Sequence, residues 1–111
     1  MKFLPDTTTV QSVEHDAAAS GSDAEIALAA DSDHYHVIDW CVWSYDSAPS
    51  SGLLTIQDTT LNAVLTKIHI TAAGPGGLFF SERGLRAPKG SAITITLDDG
   101  SAAKHLQVQY R

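Results

Sequence analysis

Apolar and polar residues alternate with a period of two over most of the chain, as expected of strands with one buried face. Ile26, Leu28 and Ala30 share one face of a segment from Glu25 to Ala30. His34 to Tyr45 is the longest candidate strand, rich in the Val, Ile, Trp and Tyr that suit a pleated surface. Leu53 to Gln57 is a short strand. Leu61 to Thr71 alternates, with Val64, Thr66, Ile68 and Ile70 inward and Lys67 and His69 outward; its β-branched residues favour a strand over a helix. Leu78-Phe79-Phe80 follows as a short strand. Ala92 to Leu97 turns Ile93, Ile95 and Leu97 inward, and Lys104 to Tyr110 does the same with Leu106, Val108 and Tyr110.

Between these runs lie turn and loop signals: Asp31-Ser32-Asp33, the Pro49 segment, Asp58-Thr59-Thr60, the breaker Gly74-Pro75-Gly76-Gly77, and a loop from Glu82 to Gly90. Asp98-Asp99-Gly100 reads as a hairpin turn, because Asp-Gly tolerates positive φ. No segment carries a sustained 3.6-residue stripe. Turns recur roughly every 8–12 residues, which predicts an all-β antiparallel sandwich, jelly-roll-like, of about seven or eight strands; Thr7 to Val13 supplies the eighth if it pairs. The strand around Trp40 stands apart. Ile38, Trp40 and Val42 would share one face and Val37, Cys41 and Trp43 the other, so both faces are apolar. One belongs to the core, and the other calls for a covering loop or a second subunit.

Composition narrows the picture. The 111 residues suit one domain. The formal charge of −6 lies wholly in residues 1–33, where Asp6, Glu14, Asp16, Asp23, Glu25, Asp31 and Asp33 face Lys2 alone; residues 34–111 balance. Residues 1–33 therefore read as an acidic arm with possible first strands, linked through Ala17-Ala18-Ala19-Ser20-Gly21-Ser22, and 34–111 as the sandwich. The acidity argues against nucleic acid as a partner. No apolar run approaches the roughly 20 residues that span a bilayer, and Asp6 follows Met1–Pro5 too soon for a signal-peptide apolar region. Cys41 is the only cysteine, so neither an intrachain disulfide nor a cysteine zinc site is expected.

Candidate chemistry is sparse. His34 and His36, two apart on a strand, are the sharpest metal candidates, because i and i+2 side chains share a face. Cupins use such a pair, but Trp40 and Cys41 stand where a cupin places its Glu. Asp39 falls on the opposite face of a regular strand. After Pro88-Lys89-Gly90, Ile93 stands where the next histidine belongs, so two of four ligands are missing. No metal or cofactor is expected. His15, His69 and His105 are scattered, and no serine sits in a Gly-x-Ser-x-Gly elbow. Cys41 has no basic neighbour in sequence to activate it and reads as a small buried hydrophobe. Arg83, Arg86 and Lys89 form the one basic cluster, suited to an acidic partner surface or to the acidic segment of a neighbouring copy. Trp40, Trp43, Tyr35 and Tyr45 divide between two faces, so at most two can share a sugar-stacking platform.

The run Ile68-His69-Ile70-Thr71-Ala72-Ala73-Gly74-Pro75, then Phe79-Phe80, Gly84-Leu85-Arg86-Ala87-Pro88-Lys89-Gly90, Ile93-Thr94-Ile95-Thr96-Leu97 and Val108-Gln109-Tyr110 resembles small virion accessory proteins of tailed bacteriophages. The resemblance covers residues 34–111. It implies a non-enzymatic capsid decoration or cement protein, homotrimeric, bound to the major capsid protein or another virion protein on the capsid exterior after synthesis in the host cytoplasm. Within that expectation Trp40, Trp43, Tyr35, Arg83 and Arg86 are the candidate subunit or capsid contacts. A fibre-tip or carbohydrate- or receptor-binding module is the alternative.

Overall fold

The computed structural model describes residues 11–111, so the part of the Thr7–Val13 strand candidate before residue 11 lies outside the described residues. Nine strands form, all antiparallel, with no helix among the described residues. They are β1 (Ser12–Ala18), β2 (Ala24–Leu28), β3 (Val37–Tyr45), β4 (Gly52–Asp58), β5 (Ala63–Ile70), β6 (Gly74–Phe79), β7 (Leu85–Arg86), β8 (Ile93–Leu97) and β9 (Lys104–Tyr110). One sheet runs β1-β9-β3-β6 with β7 added against β3, and the other runs β2-β8-β4-β5. Successive strands mostly alternate between sheets, and the first and last strands pair at one edge of one of them. That interleaving is the double Greek key of a jelly roll.

The core lies between the sheets. Ile26, Ile95 and Ile56 form one inward row, and Ala24, Leu97 and Leu54 the next. Val108 and Cys41, then Leu106 and Trp43, face them from the other sheet. The acidic segment contributes β1 and β2, one to an edge of each sheet. Its small-residue stretch continues β1 through Ala18 and then forms the β1–β2 turn. There Lys104, fully buried, donates from Nζ to the carbonyls of Ala19 (3.1 Å) and Ser22 (2.5 Å) and sits 3.5 Å from Asp99 Oδ1. Asp99 in turn accepts from the Gly21 amide at 2.6 Å, and its own amide donates to Asp23 at 2.8 Å. A buried ammonium is tolerated here because each neighbour is an acceptor.

Several sequence expectations are corrected by register. β3 shifts register between Ile38 and Trp40. The extra residue puts both Asp39 and Trp40 on the outer side, and it lets Ile38 join Cys41, Trp43 and Tyr45 in the core. The expected grouping of Ile38 with Trp40 and Val42 fails for that reason. A second shift, between Ile56 and Gln57 opposite β5, turns Val64 outward, where it is 53% exposed, and packs Leu65 against the core. Ala30 lies beyond β2 and is exposed.

The Gly-Pro-Gly-Gly breaker is strand β6. It pairs with β3 from Tyr45↔Gly74 to Trp40↔Phe79, and the indole of Trp43 lies on Gly76. A Cβ at Gly76 would stand 2.5–2.6 Å from that ring, so the glycine makes room for the tryptophan. The Glu82–Gly90 loop contains β7. Asp98-Asp99-Gly100 is not a hairpin: β8 and β9 belong to different sheets, and the segment arches between them with Gly100 at φ 58°. Among the described residues β4–β5 is the connection whose strands also pair directly within one sheet in sequence order, turning through Asn62 at φ 55°.

Gly76→Ala is expected to cost about 1–3 kcal/mol, the range for overpacking a well-filled site, and to shift tryptophan emission; urea unfolding followed by fluorescence reads both.

Candidate functional site

Two outer faces are available, and they differ. On the β2-β8-β4-β5 sheet the row Glu25, Thr96, Thr55, Lys67 is polar at every position, and the next outer row, Ala27, Thr94, Gln57, Val64, is uncharged and ends on the exposed Val64. On the β1-β9-β3-β6 sheet the row Val13, Gln109, Trp40, Phe79 crosses four strands. Phe79 is 67% exposed and Val13 50%, and Trp40 is partly buried beside Phe79 with ring centroids 6.4 Å apart and tilted 41°. The next row is His15, Gln107, Val42, Gly77, and the third is Ala17, His105, Ser44, Pro75. These rows hold no Asp, Glu, Lys or Arg, in a chain of 13 acids and 7 bases.

The β3 bulge builds the border of this patch. It sets the Asp39 carboxylate beside Trp40 on the outer side, where Arg111 Nε donates to it at 2.9 Å and Gln109 Nε2 at 3.3 Å. Asp39 and Arg111 are both largely buried as side chains, and Arg111 also donates to the Glu82 carbonyl at 3.0 Å. The one ion pair at this border therefore neutralises itself. At the opposite end His15 and His105 stack, with centroids 5.7 Å apart and planes 15° from parallel.

The chain's own loop accounts for one apolar residue of this side. Gly84, at φ 72°, lies against Val37, and a Cβ there would stand 2.4 Å from Val37 Cγ1. That loop leaves Phe79 exposed and Trp40 partly so.

The remaining candidates fall elsewhere. Trp43 faces inward and packs against the core. Tyr35 is 39% exposed, and the Arg86 guanidinium stacks over its ring at 4.5 Å, a cation–π contact at one end of the sandwich. Arg83 is exposed on the β6–β7 loop. The structure thus separates the five proposed contacts into Trp40 on the outer sheet face, Trp43 in the core, Tyr35 with Arg86 at the end, and Arg83 on a loop. His34 and His36 lie edge to face at 5.2 Å. His36 is buried and its Nε2 donates to the Ala29 carbonyl at 2.8 Å, so that nitrogen is committed to the backbone. Among the described residues no cluster of three or more His, Cys, Asp or Glu side chains is arranged to hold a metal ion.

Sequence reasoning missed Phe79, Val13 and the Asp39–Arg111 pair as parts of one face. The signal for Phe79 was the adjacent aromatic Phe80: two neighbours on a strand point opposite ways, so one of them had to face outward.

No protein-family model matches this sequence, and no curated protein matches it. Solved structures share the fold. The crystal structure of PirA superposes with a TM-score of 0.54 at 8% identity, covering 100% of this chain and 99% of PirA. The Drosophila NLP-core, described for pentamer formation and histone binding, gives 0.52 at 9% identity over 89% of this chain and 97% of its own. A Streptococcus pneumoniae fucose binding module, SpX-3, gives 0.47 at 13% identity over 85% and 70%. At 8% and 9% identity the likeness to PirA and to the NLP-core is one of fold. The class defined is an all-β jelly-roll sandwich with one uncharged, partly apolar outer sheet face.

Burial pushes the Cys41 thiol from 9.0 up to about 12. Because the folded value is the higher one, this group's contribution to stability is complete below pH 9.0 and is lost as pH rises towards about 12. A chromogenic thiol reagent at neutral pH is expected to leave the native chain unmodified and to titrate one thiol after denaturation.

Proposed function

We propose that this chain is a non-enzymatic structural protein of a virion, one that binds the assembled capsid shell as an oligomer and acts as a decoration or cement protein. The observation that supports the reading is the row Val13, Gln109, Trp40, Phe79 on the outer face of the β1-β9-β3-β6 sheet. A largely exposed Phe79 beside a partly buried Trp40 is better satisfied against another protein surface than against solvent. A jelly roll without disulfides gains stability from such contact, and a protein that binds assembled shell more tightly than free subunits stabilises the shell by mass action. The trimeric order and the capsid location follow from the sequence resemblance. Arg86 at the end of the sandwich and Arg83 on the β6–β7 loop supply positive charge for an acidic surface of the shell.

The purified chain is expected to sediment with assembled shells and to stay in solution with unassembled capsid protein. Phe79→Asp is expected to abolish co-sedimentation while moving unfolding free energy by less than about 0.5 kcal/mol, the usual range for a surface substitution. Equal sedimentation of both proteins would remove the role of this face.

A second reading rests on a separate observation: Trp40 and Phe79 adjoin the Asp39 carboxylate and the Gln109 amide. A ring to stack on, beside hydrogen-bonding groups, suits a pyranose, so a fibre-tip or carbohydrate-binding module is the alternative. It predicts hits on a glycan array that vanish in Trp40→Ala; an array without hits rejects it.

A further inference from the structure

We infer that His15 and His105 together form a chelating site for a first-row divalent transition-metal cation, taking Cu²⁺ most tightly. The site stands apart from the proposed shell-binding role and does not depend on what the Trp40–Phe79 row contacts.

Register makes the pair. His15 lies opposite Gln107 and His105 opposite Ala17, so the two histidines are diagonal neighbours across β1 and β9 on the outward side. Diagonal residues of an antiparallel pair lie within reach of long side chains. Ala17, beside His105, is too small to stand between the rings. The imidazoles accordingly lie with centroids 5.7 Å apart and planes 15° from parallel. Two imidazoles on one ion, each with its nitrogen about 2.0 Å from the metal, hold their centroids roughly 5 Å apart. Both side chains are exposed, so rotation about their side-chain bonds turns two nitrogens onto one point without disturbing the core.

The other histidines do not match this. His36 is buried, its Nε2 donates to the Ala29 carbonyl at 2.8 Å, and its Nδ1 is enclosed, so His34 has no accessible partner ring there. His69 stands on β5 in the other sheet.

Charge around the pair favours a cation. Asp46 lies two positions beyond Ser44, the β3 residue opposite His105, and its amide donates to the Ala103 carbonyl at 2.9 Å. Alternation turns its exposed carboxylate to the outward side, near His105. Glu14 and Asp16 lie opposite Val108 and Leu106 and so belong to the other side of β1. There Glu14 accepts from the Tyr110 hydroxyl at 2.7 Å and Asp16 from the Glu25 amide at 2.8 Å. They are not ligands, but their charge, like the −6 of the whole chain, attracts a cation. Lys104, next to His105 in sequence, points inward and is held by the Ala19 and Ser22 carbonyls, so its ammonium does not compete.

The donor set selects the metal. Imidazole nitrogen suits Cu, Ni and Zn, and affinity along the first-row series peaks at Cu²⁺. Ca²⁺ and Mg²⁺ prefer oxygen ligands and are not favoured here. Two protein donors leave the remaining coordination positions to water, so binding is micromolar rather than that of a closed four-ligand site. The bound ion ties the edge strand β1 to β9, the last strand of the chain. That link exists only in the folded chain, so binding raises thermal stability.

The test is calorimetric titration of the tag-free chain with Cu²⁺ in a non-coordinating buffer at neutral pH, with electron paramagnetic resonance of the bound ion. One ion per chain is expected, with a micromolar dissociation constant, a two-nitrogen signature and a rise in Tm on saturation. His15→Gln and His105→Gln are each expected to weaken binding at least about tenfold and to abolish the rise in Tm. His34→Gln and His69→Gln are expected to change neither. Circular dichroism without metal confirms that each variant is folded. Absence of saturable binding overturns the inference. So does binding that survives in His15→Gln or in His105→Gln, or that is lost in His34→Gln, since the ion is then held elsewhere. Two ions per chain, one removed by each variant, overturn the chelate and leave two histidines acting singly.

Discussion

One extra residue in β3 governs what this molecule shows to its surroundings. In a regular strand Ile38 and Cys41 would point to opposite sides, and one of them would be stranded in water. The bulge between Ile38 and Trp40 sends both inward, and it sends Asp39 and Trp40 outward together. The core then closes with Ile38, Cys41, Trp43 and Tyr45 from a single strand. The outer face receives an indole and a carboxylate side by side. Gln109 of β9 and Arg111 just beyond it converge on that carboxylate.

Much of the architecture was legible in simple alternation. Ile93, Ile95 and Leu97 face inward on β8, Leu106 and Val108 on β9, and Ile26 and Leu28 on β2, as their spacing required. What alternation misses is a change of phase. Trp40 and Val64 both lie past a register shift, and a residue inserted on one strand leaves no mark in the identity of its neighbours. Glycine misled for a different reason. Gly74-Pro75-Gly76-Gly77 has the composition of a turn, yet its glycines make space: Gly76 lies beneath the ring of Trp43 across the strand pair. That requirement comes from a residue far away in sequence. Asp98-Asp99-Gly100 was read as a hairpin turn, but local chemistry does not say whether the next strand returns to the same sheet, and here it crosses to the other.

The candidate site was half legible. Trp40 was singled out because both sides of its strand are greasy. Its partners Phe79 and Val13 come from strands at opposite edges of the sheet, and only strand order brings them into one row. Trp40 and Trp43, three apart and both past the shift, point to opposite sides as regular alternation requires: one indole packs against the core and the other lies partly exposed on the outer sheet face. The end of the sandwich around Lys104 was legible by parity alone, since Lys104 shares a face with Leu106 and Val108. What made that position tolerable, the carbonyls of the β1–β2 turn and the Asp99 carboxylate, lies far off in the chain.

Cys41 has a practical corollary. It is the chain's single sulfhydryl, and it is fully buried in the core between Leu78 and Val108 on the neighbouring strands. Any cysteine introduced on the surface would be the lone accessible handle for a maleimide dye or spin label. The molecule is in effect supplied ready for single-site attachment, with no native position to remove first.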